Sequence, residues 1–346
     1  MLYSKVFIES FGYELAPNVI TSDDIEKRLE PLYKALHFPK GQLEVLTGIK
    51  ERRFWNKGYK MHEGAIIAAK KAIENSSVSP ELINMLIYAG VCRDNLEPAT
   101  ACAVASGIGL GPLTHVMDVS NACLGVLNSM IIVANSIELG QIKAGLIVSC
   151  ESSRQIVENT IDRLLANKNM DTFKKTVATL TGGSGAVAVL LVDGSVSDSG
   201  HRLVSGIVRN ETKHHKLCRW WPDTGIPSKA SHCMETDSAK VLKNGVSLGV
   251  KTFQAFIKEV SWPADKPDKV ICHQVGAAHQ NTILESIGIS KEKDFTTFRF
   301  FGNIGTVSLP ITAAIASERE FLIDDDYVGF LGIGSGLNCL ILGIRW

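Results

Sequence analysis

The sequence predicts an α/β protein made of two halves with like topology, and three observations lead there. Short apolar runs alternate with longer helical patterns along nearly the whole chain, the signature of buried strands with helices on their faces. The order of strand-like blocks between residues 84 and 150 returns between 269 and 336. The chain has 346 residues, more than one ordinary domain of about 150 needs.

Composition narrows the class further. With 45% hydrophobic and 21% charged residues there is ample core, and a disordered chain is excluded. Lys+Arg and Asp+Glu both number 36, so nothing electrostatic favours nucleic acid or an anionic membrane.

Residues 1–10 place Lys5 and Glu9 among alternating apolar residues, which reads as a strand and not as an export signal. In the first half, strand-like blocks begin at Met85, Thr114 and Ala144; in the second they begin at Lys269, Phe295 and Tyr327. Each middle block leads through a turn into a helix, 120–123 into a helix over 123–139 and 302–305 into one over 305–319. The two halves are expected to meet at those helices. Between them, 151–181 reads as a polar helical excursion, and Gly182-Gly-Ser-Gly opens an apolar strand that ends at Val192. The turn-rich stretch 193–200 is a linker, so the halves are read as 1–195 and 196–346.

The richest apolar stretch, 123–139, is interrupted by Asn128, Ser129, Asn135, Ser136 and Glu138, and no transmembrane segment is expected. Eight cysteines, at 92, 102, 123, 150, 218, 233, 272 and 339, show neither C-x-x-C pairs nor zinc-type spacing. They predict a reduced, cytoplasmic chain without a metal.

Candidate chemistry sits at strand ends. Cys123 follows a strand and opens a helix, where unpaired N–H groups and the helix dipole favour a thiolate; a cysteine there serves equally as a small buried hydrophobe. His273, with Gln274 after it, ends the block 269–273, and Asn303 stands in a Gly-Asn-Ile-Gly turn. Taken singly, each reads as structural; together they occupy matching ends of repeated elements, where open α/β sheets bind ligands. Gly332-Ile-Gly-Ser-Gly imitates a dinucleotide loop, but only ten residues follow and they read as a strand with no helix for a pyrophosphate. Its better use is a turn that aims the Ser335 N–H at an oxyanion. Gly182-Gly-Ser-Gly-Ala lacks the spacing of a serine-hydrolase elbow.

The segments 118–123, 271–274, 302–305 and 332–339 occur in the order of the thiolase superfamily, and the chain resembles ketoacyl synthase III and its relatives over nearly its whole length. Within that superfamily it looks closest to the OleA-type enzymes, which join two fatty acyl thioesters head to head. Leu96-Glu97-Pro98-Ala-Thr100 resembles their segment carrying a glutamate base, 123 − 97 = 26 residues before the nucleophile.

The resemblance implies the duplicated five-layer αβαβα fold, with two mixed sheets around buried helices, and a homodimer. It implies a Cys123, His273, Asn303 triad, an oxyanion hole from the N–H groups of Cys123 and Ser335, and Glu97 as the base presented to the partner's nucleophile. It implies acyl-CoA or acyl carrier protein thioesters as substrates, with no cofactor besides. Glu97 reads otherwise as a helix-start residue beside Pro98. Lys216 and Arg219, in a segment ending Trp220-Trp221, would grip CoA or form a solvated loop. Thr47-Gly-Ile-Lys50 lacks the preceding tryptophan of ketoacyl synthase III, and Ala278 stands where that enzyme has an arginine. Two further readings stay open: a decarboxylating condensation with a malonyl thioester, or simple acyl transfer, and a catalytically inert partner subunit.

Overall fold

The protein is described from a computed structural model, over residues 1–221, 233–260, 262 and 267–346. Nine strands form the main sheet: β1 (Val6–Leu15), β2 (Ile83–Ala89), β3 (His115–Val119), β4 (Ala144–Ser152), β5 (Ser184–Asp193), β6 (Arg202–Asn210), β7 (Lys269–Cys272), β8 (Tyr327–Gly334) and β9 (Asn338–Arg345). Among the helices of the described residues, those that pack on its faces are α1 (Met61–Glu74), α2 (Thr100–Ile108), α3 (Gly125–Glu138), α4 (Ser238–Val260), α5 (Ala277–Ile287) and α6 (Ser308–Glu318).

The strand order is β7-β8-β9-β6-β1-β5-β4-β2-β3. In the first half β2 runs parallel to β3 and β4, while β4–β5 and β5–β1 are antiparallel. In the second half β7–β8 is parallel, and β8–β9 and β9–β6 are antiparallel. The repeat of order and direction is therefore real, with α1, α2 and α3 matched by α4, α5 and α6. The two half-sheets meet where β1 pairs with β6 at Phe7 and Arg202, with a further bridge between Leu2 and Ser205, and this links them into one hydrogen-bonded run. We propose 1–195 and 196–346 as the two halves, with β5 ending before this boundary and β6 starting after it.

One expected strand is missing. The block at Phe295 is reduced to a parallel bridge between Asp294 and Val270. The reason lies in Gln274, whose Oε1 accepts the N–H groups of Thr297 (2.9 Å) and Phe298 (3.1 Å). Those donors are satisfied by a side chain instead of a ladder, and the chain turns inward as the short helix Phe298–Phe301.

Alternation along the strands sorts the core into layers. Ile147, Val187, Val189 and Leu191 join Phe330, Leu340 and Leu342 around α3 and α6, while Leu146, Val148, Ala188 and Leu190 face α1 and α2. Cys339 and Ile341 face α4 and α5. Helix α6 is buried throughout from Ser308 to Ala316 and nine of the fourteen residues of α3 are buried, which a central layer achieves. A fourth cluster joins residues 25–54 to the excursion, whose Ile156, Val157, Ile161 and Leu164 form one buried stripe. Among the described residues no helix is long and apolar enough to cross a membrane.

Candidate active site

The turn before α3 carries Cys123, and it is shaped by Ala122 in the left-handed region at φ 47°. A residue with a Cβ rarely adopts this conformation, and such strain persists where the surroundings impose it. Leu124 N–H donates to Asn121 O at 2.9 Å to close the turn. Asn338 Nδ2 then donates to Asn121 Oδ1 (3.3 Å) and to Ser335 O (3.2 Å), which ties the Ser335 turn to the cysteine turn.

His273 extends β7, its N–H donating to Leu331 O at 2.9 Å. Gln274 next to it is 2% exposed and donates through Nε2 to Cys272 O at 2.6 Å, so it supports the strand end and the following turn without facing substrate. Asn303 is clamped through its backbone: its N–H donates to Thr181 O and its carbonyl accepts from Gly183 N–H, both at 2.9 Å. The two glycine motifs of the sequence thus pack on each other. A Cβ on Gly302 (φ 68°) would stand 2.3 Å from Thr181 O, and one on Gly183 would stand 2.0 Å from Phe301 O. The Asn303 Oδ1 accepts the Gly305 N–H at 3.0 Å, which leaves the amide NH2 as the donor end.

Cys123, His273, Asn303 and Ser335 line one cavity of about 430 Å³. Its other walls are mostly apolar, with Leu46, Val177, Val241, Leu242, Ile333 and Leu337 among them, a lining suited to hydrocarbon.

The electrostatics differ from the thiolate expected at a helix start. Burial, reinforced by Cys218 and Glu151, pushes the Cys123 thiol up to about 12. Burial, with His279 adding to it, pulls His273 down to about 4. A helix terminus contributes about 0.3–1 kcal/mol, whereas raising a thiol from 9.0 to about 12 corresponds to about 4 kcal/mol. Desolvation wins, and at neutral pH the pair rests as thiol and neutral imidazole.

Residues 257–346 match the C-terminal model of 3-oxoacyl-[acyl-carrier-protein] synthase III. The acyl-CoA:acyl-CoA alkyltransferase of Shewanella oneidensis is 49% identical over the whole of both chains. That of Xanthomonas campestris is 34% identical, again with both fully covered. The chain belongs to the acyl-CoA:acyl-CoA alkyltransferase (OleA) family. These are acyltransferases on the thiolase-like fold. A Xanthomonas campestris OleA cysteine-to-serine variant with bound lauric acid and lauroyl-CoA superposes with a TM-score of 0.93 at 33% identity, covering 100% of each chain.

Three of the expected residues lie outside the cavity of their own chain: Glu97, which the resemblance assigns to a partner's nucleophile, and Lys216 and Arg219, read as CoA contacts or a solvated loop. Glu97 is exposed, beside Leu96 at 62% exposure. The helix-start role does not fall to it: α2 begins at Thr100, and the Asp118 carboxylate accepts the N–H groups of Thr100 (2.8 Å) and Ala101 (2.9 Å). Lys216 and Arg219 are exposed as well, and Arg219 stacks over the Trp221 ring at 5.2 Å. Strand alternation explains this. Cys218 pairs with Thr236 on the cavity side of a small antiparallel strand pair, so Arg219 takes the opposite face.

Sequence reasoning missed the polar residues this cavity collects from elsewhere. His279, in the first turn of α5, lines it and is lowered by burial to about 4. Cys218 contributes a second thiol to the same lining. Both lay beside segments already singled out, at positions where helix and strand periodicity would have put them on the inner face.

Proposed function

We propose that this chain condenses two fatty acyl-CoA thioesters without decarboxylation, giving a 2-alkyl-3-ketoacyl thioester through acyl-Cys123. The observation that carries this reading is the shared apolar cavity, in which a nucleophile from the first half meets His273 and Asn303 from the second.

In the first step Cys123 Sγ bonds to the acyl carbonyl carbon, the carbon–sulfur bond to CoA breaks, and the thiol proton leaves with the CoA thiol. His273 takes that proton transiently; neutral at rest, it is free to accept it. The N–H groups of Cys123 and Ser335 hold the oxyanion, worth roughly 3 kcal/mol per donor in comparable sites. In the second step the α-proton of a second acyl-CoA passes to Glu97, the enolate oxygen rests on His273 and the Asn303 NH2, the α-carbon attacks the acyl carbonyl, the carbon–sulfur bond to Cys123 breaks, and the departing sulfur takes up the proton that Glu97 received.

Glu97 serves the Cys123 of a second copy, which requires a homodimer. Its exposure beside Leu96 and the assignment of the α2 N-terminus to Asp118 support this. So does spacing: the glutamate and cysteine substituted in the Xanthomonas campestris OleA structures are also 26 residues apart. Acyl-CoA is the favoured donor because that relative holds lauroyl-CoA, and eight free cysteines support a reducing, cytoplasmic setting.

Glu97→Gln tests the reading. It should release CoA from a single long-chain acyl-CoA and accumulate acyl-Cys123, while condensed product falls by about 10²–10⁴-fold. Normal condensation in that variant, or product only when malonyl thioester is supplied, overturns the proposal.

A further inference from the structure

Glu151 is a buried carboxyl that the steps above leave unused. It lies near the end of β4 and is 4% exposed. Its Oε1 accepts the Val91 N–H at 2.8 Å and its Oε2 the Cys92 N–H at 3.1 Å, at the start of the loop that leads to Glu97. The Trp55 indole N–H donates to its carbonyl at 3.1 Å and steadies the strand end. On the other side, a Cβ on Gly305 would stand 3.8 Å from its carboxyl carbon and 3.9 Å from Oε1. Gly305 is the residue whose N–H orients the Asn303 carboxamide. One carboxyl group therefore holds the start of the loop that carries Glu97 toward a second copy and lies beside the turn that carries Asn303 to the cavity of its own chain.

We propose that Glu151 is a positioning residue, tying the loop that presents Glu97 to the turn that presents Asn303 behind the nucleophile. A carboxylate that accepts two successive N–H groups sets the direction in which the chain leaves, because both bonds are charge-assisted and share one rigid plane. The inference rests on the reading of Glu97 as the base.

Its charge is felt locally. The titratable groups facing it are the thiols of Cys92, Cys150 and Cys123 and the Tyr88 phenol, each pushed up in part by its charge. Burial raises the carboxyl itself to about 7, against the pull of the Val91 and Cys92 donors. Ionised Glu151 thus opposes formation of a Cys123 thiolate above that pH and ceases to do so below it.

Two variants separate reach from charge. In the full-length protein, the ratio of condensed product to CoA released in the acylation burst is measured for Glu151→Asp and Glu151→Gln, beside the pH profile of Cys123 labelling by iodoacetamide. Glu151→Asp keeps the charge but not the reach; its ratio should fall about tenfold through misplacement of Glu97, with wild-type labelling. Glu151→Gln should also lower the ratio, and should label Cys123 several times faster than wild type above pH 7, a difference that vanishes at lower pH. A merely structural role would lower stability without moving the labelling profile. Wild-type ratios in both variants overturn the proposal whatever Glu97 does. Glu97→Gln, assayed in parallel, judges the base on its own.

Discussion

The two halves of the molecule place the same elements in the same order and use them differently. In the first half, the turn before α3 holds Ala122 at φ 47° and presents a sulfur. In the second, the turn before α6 is clamped by Thr181 and Gly183 and presents a carboxamide. Thr306, at the head of α6, accepts the Val126 N–H of α3 at 2.7 Å, so each buried helix begins against the other. The third strand differs as well: β3 is complete, while its counterpart has shrunk to the bridge at Asp294 and the chain turns inward to carry Asn303. Duplication provides the frame, and the departures from symmetry provide the chemistry.

Removing what one half alone contributes should have the largest effect. Cys123→Ala should abolish both acylation and condensation, a loss of at least about 10⁴-fold in single-turnover CoA release; surviving turnover would mean that the first half does not carry the nucleophile. Asn303→Ala should lower condensation by about 10²–10³-fold while acylation of Cys123 suffers less, and equal losses in both steps would deny the division of labour.

Smaller effects sharpen the picture. The Cys123 thiol is raised by burial to about 12. Below that value the thiolate fraction grows with pH, so iodoacetamide labelling should be slow at pH 7 and climb about tenfold per pH unit to pH 10. A plateau near pH 8.5 would show the helix end winning over desolvation. Thr306→Val leaves the buried Val126 N–H without its acceptor at the seam. It should cost about 1–3 kcal/mol in chemical denaturation, and an unchanged midpoint would mean that the contact between the two helices is dispensable.

How far the site was legible depends on how local each signal was. Cys123, Asn303 and the glycine turns were readable because strand–turn–helix transitions leave marks within a few residues. Asp118, which supplies the anion at the α2 N-terminus, was not, because a side chain 18 residues away along the chain does it. The roles of Gln274 and Glu151 were hidden for the same reason, because they consist of contacts to other elements. Lys216 and Arg219 were read as gripping CoA or forming a solvated loop, because residue type says nothing about the face of a strand.

By itself the sequence determined the α/β class, the repeat, the buried central helices and the candidate residues that come to line one cavity, since periodicity and turn chemistry are short-range properties. Only the tertiary structure decided that the half-sheets join at Phe7 and Arg202, that the second half loses a strand, and that thiol and imidazole rest neutral. Burial and long-range hydrogen bonds set those outcomes, and both depend on which distant residues arrive beside each other when the chain closes.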